Sequence, residues 1–482
     1  MSLIQISKTV IVFMALLAPG FTFLITGPVD SFEQTKQVDF PSLRSVLLPA
    51  PESREQLADA IFQRSAAKRW AIQFINATNL YVLGYAETKQ VVSGSDEWLF
   101  YKPLFQLWGC ENHENLQLKL DRFSLLIELI TSADIPLIFA HVPNKATIER
   151  EFLYGRSARY RDCYFKFEER FAEAVFGLST HHFVDHTKVL THEPEGPHSY
   201  LQYDTHWTQE YGLHALNQLF ESRPGILGVP LYNPKLDDAP EHMGILDNLL
   251  LLSKDRTIPT PVSSKLTQKE ARSANLASNV LYIHDSFYNR VRKYLLDRSP
   301  NAILQHSRGG LDQEVRLKLE QADIVVVQIV QRLFLDYIWK ESAFGWGGVF
   351  AEWLLDEMTI ASRQCDWSKS SDQLDIPYDS DLTTSQLILR VPENTGPGRV
   401  CLRLQLEVDS PGYARLFFSA PEATKARPMY SSARMVSKNL IRGENVLGLI
   451  LPESYKGRWI RLEPVDKDNE FTIKKLKFSP ID

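Results

Sequence analysis

Two short stretches hold residue types that together can do nucleophilic chemistry. In YIHDSFYN, Ser286 stands where the apolar run SNVLYI gives way to a helical pattern, FYNRVRKYLLDR. Its hydroxyl is expected at the mouth of a sheet. Its backbone N–H is expected near a helix start, where unpaired amides can stabilise an oxyanion. Serine is also a favoured N-cap residue, so this block alone marks a helix start as readily as a nucleophile. YDTHWTQEYG carries Asp204 and His206 just before a second helical pattern. A serine hydroxyl attacks well only when a base takes its proton, and that base needs a carboxylate to fix its tautomer and steady the imidazolium. Residues at i and i+2 of an extended segment project to one side, so both can enter one site. Their direct contact depends on a local turn, and a capping Asp204 or a packed His206 is the structural alternative. A third cluster, HHFVDH, offers His181, His182, Asp185 and His186. Imidazole and carboxylate are good zinc ligands, but this spacing fits no standard zinc pattern, and a strand splays adjacent histidines to opposite faces. No metal and no cofactor is therefore expected.

The elements that must position these residues follow from periodicity. A helical pattern runs from Glu52 to about Val82, with Leu57, Ile61, Trp70 and Phe74 at helical spacing. SGSDEWLFYK reads as a turn and a short aromatic strand. A helix is predicted from about Leu116 to Thr131, then strands at IPLIFAHVP (Ile135 to Pro143) and HHFVDHTKVL, and a helix after DTHW to about Phe220. The pattern recurs: SNVLYIHDS ends a strand at Ser286, and helix FYNRVRKYLLDR, strand NAILQHS, helix EVRLKLEQ and the nearly all-apolar strand ADIVVVQIVQRLF follow. Short β-branched runs alternating with helices indicate an α/β layer with a mostly parallel sheet, whose active residues gather at the C-terminal strand ends. From about Gln364 to Thr384 the composition turns polar. Beyond it only strand candidates appear: SQLILRV, VCLRLQLEV, YARLFFSA, NVLGLIL, RWIRLEP and FTIKKLKF. Their spacing and turn residues predict an all-β sandwich, jelly-roll-like.

The length of 482 residues favours more than one domain. The expected division is 1–28 as an N-terminal anchor or uncleaved signal, 29–364 as the α/β domain and 385–482 as the β-sandwich. A formal net charge of -6 excludes a general nucleic-acid binder, yet Arg390 to Asp482 holds 16 Lys and Arg against 11 Asp and Glu. That basic region suits an anionic polymer or an ordinary solvated surface. Lys8 precedes an uncharged apolar run, Thr9 to Thr26, with Asp30 and Glu33 after it. This reads as a signal-anchor oriented with the bulk of the chain outside, a cleaved signal being the rival. Both mean export. The four cysteines, Cys110, Cys163, Cys365 and Cys401, allow three pairings. Cys110–Cys163 with Cys365–Cys401 would keep each bridge within a domain or its edge, and buried free thiols are the other reading.

The motifs in order resemble those of the alginate O-acetyltransferases and their relatives, which have a rearranged SGNH-hydrolase-like fold. SGSDEWLFY, VPNKATIE, YDTHWT, IHDSF, HSRGG and ADIVVVQIVQRLF carry the likeness over most of residues 90 to 335. The resemblance implies Ser286 as nucleophile, His206 as general base and then acid, Asp204 as its orienting carboxylate, and Arg308 as a substrate-binding arginine. It also implies a carbohydrate-binding module in the β-rich C-terminal region. Acetyl transfer to a polysaccharide is implied, with a membrane-bound O-acyltransferase as donor and exopolysaccharide assembly and export proteins as partners. The compartment implied is the periplasm, with the chain anchored in the inner membrane. A secreted deacetylase with the same three residues, or a non-catalytic polysaccharide-binding component, is the alternative. Two departures stand out: His284, where relatives often carry Gly, and Gln328 and Gln331, where acidic residues are expected.

Overall fold

The computed structural model describes residues 17–26, 51–105, 113–175, 181–190, 198–228, 230, 235–241, 246, 256–262, 277, 279–307, 313–333, 349–365, 367, 387–393, 398–419, 435–464 and 471–481. At its centre lies a five-stranded sheet of Leu137–Val142 (β1), Phe183–Asp185 (β2), Val280–His284 (β3), Ala302–His306 (β4) and Ile324–Val330 (β5). The strand order is β2-β1-β5-β3-β4, and every pairing is parallel. β1 and β3 are buried along their whole length, which explains why they read as unbroken apolar runs.

Successive side chains of a strand point to opposite faces, and the cores divide accordingly. Leu137, Phe139, Leu281, Ile283, Val325, Val327 and Ile329 face one core. There they join Leu120, Phe123 and Ile127 of helix His113–Ala133, and Tyr164, Phe167 and Phe171 of helix Ala158–Val175. Ile138, Ala140, Val280, Tyr282 and Val326 face the other core, with Leu213, Leu216 and Leu219 of helix Gln209–Ser222. The fold is thus a parallel sheet flanked by helices, followed by a C-terminal all-β region, as the periodicity predicts.

That C-terminal region forms two antiparallel sheets. One orders Leu387–Arg390, Trp459–Pro464, Gly412–Phe418 and Met435–Leu440; the other orders Gly443–Leu451, Arg399–Val408 and Phe471–Ile481. Met435–Leu440 (MVSKNL) escapes the sequence reading because it lacks an apolar run. Helix Val349–Ala361, also unanticipated, joins the two parts. Asp356 on it pairs with Arg316 at 2.7 Å and with Lys438. Gly448 packs so closely on this junction that a Cβ there would lie 1.9 Å from Ser362 Oγ. Tyr455 donates to Glu128 Oε2 (3.0 Å), and Arg399 to Ser132 O (2.6 Å). The β-region is therefore pinned to the sheet domain. Cys365–Cys401 is disulfide-bonded across this seam. Cys163 is disulfide-bonded too, while Cys110 lies outside the described residues.

Four boundaries differ from expectation. HHFVDHTKVL gives only the three-residue β2, because Thr187–Leu190 turns helical. The segment after Ser286 is a 3-10 turn, Ser286–Arg290, and only then helix Arg292–Arg298. The Glu52 to Val82 pattern splits into helices Pro51–Gln63 and Ala66–Ala77 and a π turn, Thr78–Val82. A hairpin of Lys235–Glu241 with Arg256–Val262 was not expected from its proline-containing strands.

Candidate active site

The three central strands end side by side, and the residues just past their C-terminal ends converge. β1 leads into Asn144 and Lys145, β5 into Gln331 and Arg332, and β3 into Asp285 and Ser286. Ser286 is half-buried, whereas Asp204 and His206 are buried. His206 bridges the other two: its Nδ1 lies 2.8 Å from Asp204 Oδ1 and its Nε2 lies 2.9 Å from Ser286 Oγ. With the carboxylate accepting from Nδ1–H, Nε2 is left as the acceptor facing the hydroxyl.

The local turn that Asp204 and His206 needed is built by Asp204 itself. Its Oδ1 accepts from the backbone N–H of Thr205 (2.5 Å) and of His206 (3.2 Å) as well as from the ring. The loop is closed by an antiparallel bridge between Tyr200 and Trp207, and Thr208 caps the next helix by accepting from Tyr211 N–H. Trp207 Nε1–H donates to Phe287 O at 3.2 Å, tying this loop to the turn that begins at Ser286. Gly212 permits that closeness, since a Cβ there would lie 2.8 Å from Trp207 Nε1.

Two further clamps were not legible as chemistry. The Lys145 ammonium, buried among carbonyls, lies within hydrogen-bond reach of Leu99 O (2.8 Å), Leu201 O (2.6 Å), Gln202 O (2.8 Å) and Asp204 O (3.1 Å). It also sits 4.6 Å from the Trp98 ring centre. A single charge thereby gathers the loop that presents Asp204 and His206. Asp285, in turn, accepts from Phe287 N–H at Oδ1 (3.0 Å) and from Val330 N–H at Oδ2 (2.7 Å). Its carboxylate fastens the turn at Ser286 to the end of β5. The available signal for both was position, a polar residue within three positions of the end of a buried strand.

Arg332 was also missed. Its guanidinium lies over the rings of Phe287 (5.6 Å) and Tyr101 (5.5 Å) and donates to Asn144 Oδ1 at 3.4 Å. Burial lowers its pKa, and the Asp285 charge opposes that shift. Phe287 in turn is 4.6 Å from the His206 ring, so Arg332 is one ring away from His206. Gln331 is fully buried, and its Oε1 accepts from Asn144 N–H (3.2 Å), Asn144 Nδ2 (2.8 Å) and Thr147 Oγ1 (3.3 Å). An amide oxygen thus fills the place where an acid was expected. His284 has no left-handed φ, so nothing in the backbone there requires glycine. Its Nδ1–H donates to Asp285 O at 2.8 Å. Arg308 lies outside the described residues.

HHFVDH is dispersed among separate partners. His182 Nδ1 bonds to Leu137 O (2.9 Å), Asp185 pairs with His141 (3.0 Å), and His186 Nδ1–H donates to Gln218 Oε1 (2.6 Å). Among the described residues, the group with metal-ligand proximity is Glu149, Glu151 and His198, whose ligand atoms lie within 4.8 Å of one another. Glu149 there already accepts from His198 Nδ1 (3.0 Å) and Tyr200 N–H (2.9 Å).

Sheet order and converging side chains define a parallel α/β domain with a serine, a histidine and an aspartate at one strand end. Residues 91–280 match the family described as SGNH hydrolase-like domain, acetyltransferase AlgX. The match stops short of Ser286. No curated protein matches the chain in sequence. Among solved structures, Pseudomonas aeruginosa AlgX is similar over 81% of this chain and 95% of its own, at 11% identity and a TM-score of 0.35. The O-acetyltransferase domain of Pseudomonas putida AlgJ is similar over 51% and 92%, at 18% identity and 0.34. Bacillus cereus PatB1 is similar over 51% and 96%, at 11% identity and 0.35.

Proposed function

We propose that the chain is an exported polysaccharide O-acetyltransferase that works through an acetyl-serine intermediate. The observation that carries this reading is His206 held between Asp204 and Ser286, at 2.8 and 2.9 Å, within a chain whose residues 91–280 match an acetyltransferase family. His206 Nε2 takes the Ser286 proton as Oγ attacks the acetyl carbonyl of a donor ester. The carbonyl–donor bond then breaks, and the donor leaves with that proton. In the second step a sugar hydroxyl gives its proton to Nε2 and attacks the acetyl-serine. The new ester forms, and Ser286 Oγ departs with the proton from His206. The backbone N–H of Ser286, at the start of its 3-10 turn, is the candidate oxyanion donor.

The donor is a membrane-bound O-acyltransferase that carries acetyl groups across the inner membrane, and the acceptor is an exopolysaccharide handled by assembly and export proteins. The chain works in the periplasm, held by its N-terminal apolar run. Residues 17–26 of that run are helical, and among the described residues no helix is long and apolar enough to cross a membrane. The C-terminal sheets, with their basic excess, hold the polymer. Arg332 is a second candidate, beside Arg308, for gripping a sugar carboxylate or hydroxyl. The test is intact mass after exposure to an activated acetyl ester. One added acetyl group, localised to Ser286 and missing from Ser286→Ala, is expected. Unchanged ester turnover by Ser286→Ala would remove the assignment, and acetate release indifferent to any acceptor sugar would make the enzyme a deacetylase.

A further inference from the structure

Helix Ala66–Ala77 turns an apolar, aromatic face to the outside. Trp70, Phe74 and Ile75 are 57%, 73% and 55% exposed, and the π turn Thr78–Val82 carries the stripe on through Tyr81, Val82 and Leu83. At 100° per residue, Trp70, Phe74 and Ile75 span roughly 140° of the helix surface. A lone exposed apolar side chain is ordinary, but a continuous stripe marks a surface that meets something apolar. Asn76, on the opposite side of this helix, is buried. Segment 17–26 adds exposed Leu17, Phe21, Leu24 and Ile25. It is joined to the stripe-bearing helix, whose Ala67 N–H donates to Thr22 Oγ1 at 3.3 Å. These residues close the uncharged run that begins at Thr9. The stripe is thus continuous with the one segment of the chain whose composition suits a bilayer.

We propose that this stripe beds in the headgroup–acyl boundary of the membrane that the N-terminal run enters. The domain is then held by its flank as well as by its anchor. The inference rests on the anchored reading above and adds to it a defined lipid-facing surface. Two observations favour lipid over a protein partner. Whatever covers the stripe must also adjoin the apolar run at residues 17–26. The stripe is also flanked by a cation: Lys68 lies about 20° beyond Ile75 on the helix surface, with its ammonium 5.3 Å from the ring of exposed Phe62, and aromatic residues beside a cation are the pattern of helices lying in a membrane interface.

The test places the photo-crosslinking residue p-benzoylphenylalanine at Phe74 of the full chain. The protein is reconstituted in vesicles of phosphatidylethanolamine and phosphatidylglycerol. The same residue at Tyr413, exposed on the C-terminal sheet, serves as the comparison. Irradiation is expected to give several-fold more lipid adduct at position 74 than at 413, read by mass spectrometry. Equal yields at the two positions would overturn the proposal. In cell membranes, capture at position 74 of another protein or a second copy, in place of lipid, would overturn it too. An alkaline carbonate wash separates the two levels of the argument. Release of the chain from membranes sinks the anchored reading and this inference with it. Retention without lipid adduct at position 74 sinks this inference alone.

Discussion

Lys145 Nζ lies 3.1 Å from the backbone carbonyl of Asp204, the same residue whose side chain orients His206. Three other carbonyls surround that ammonium, so one buried charge sets the height of the whole loop above the sheet. Lys145→Met leaves these carbonyls facing an apolar tip. We expect a loss of stability on the order of 3 kcal/mol, from buried acceptors left without a donor. Acetyl loading of Ser286 should fall with it. Lys145→Arg should not rescue loading, because a planar fork does not fit a cage shaped around an ammonium. Urea midpoints and intact mass check both, and a fully active, equally stable Lys145→Met would disprove the clamp.

Asp204→Asn tests the orienting carboxylate with little change in shape. An amide can turn its nitrogen toward the ring and favour the tautomer that carries the proton on Nε2. Loading is expected to drop on the order of 10⁴-fold, the scale for loss of this contact in serine triads. Substrate binding should change little. A drop under tenfold would mean that His206 is oriented by other contacts.

Asp285→Asn probes the turn rather than the chemistry. One of the two N–H donors, Phe287 or Val330, then meets an amide N–H in place of an oxygen. A cost of about 1–3 kcal/mol follows, or about 10- to 100-fold in loading if the nucleophile shifts with the turn. Single-turnover rates measured at saturating donor separate this from a binding defect.

His186 carries a pH prediction. Burial lowers its pKa from the ordinary 6.5 to about 4, and its bond to Gln218 only partly opposes the shift. Unfolding therefore takes up a proton between those two values. The neutral ring's stability is fully present above pH 6.5, declines as pH falls toward 4, and is constant below. The decline is about 3 kcal/mol by linkage. His186→Gln should flatten this part of the profile of urea midpoints against pH. An unchanged slope would show that other groups control it.

Much of the fold was legible because burial on both faces forces unbroken apolar strands, and β1, β3 and β5 announce themselves that way. Ser286 was legible as the end of one such strand, and Asp204 with His206 as a pair two residues apart. MVSKNL and the hairpin at Lys235–Glu241 were not, since strand pairing there is set by neighbours rather than by an apolar pattern. Arg332 was overlooked for a related reason. A cation after a buried strand looks like a solvated end until Phe287 and Tyr101 are seen beneath it.

The sequence by itself determined which residue types are present to pass a proton and attack a carbonyl, and which runs must be buried. Only the tertiary structure decided that they meet. Strand order β2-β1-β5-β3-β4 sets three strand ends side by side, and a lysine charge and an aspartate carboxylate draw the two distant loops together. Such convergence is a property of long-range packing, and two residues 80 positions apart in the chain carry no local signal of it.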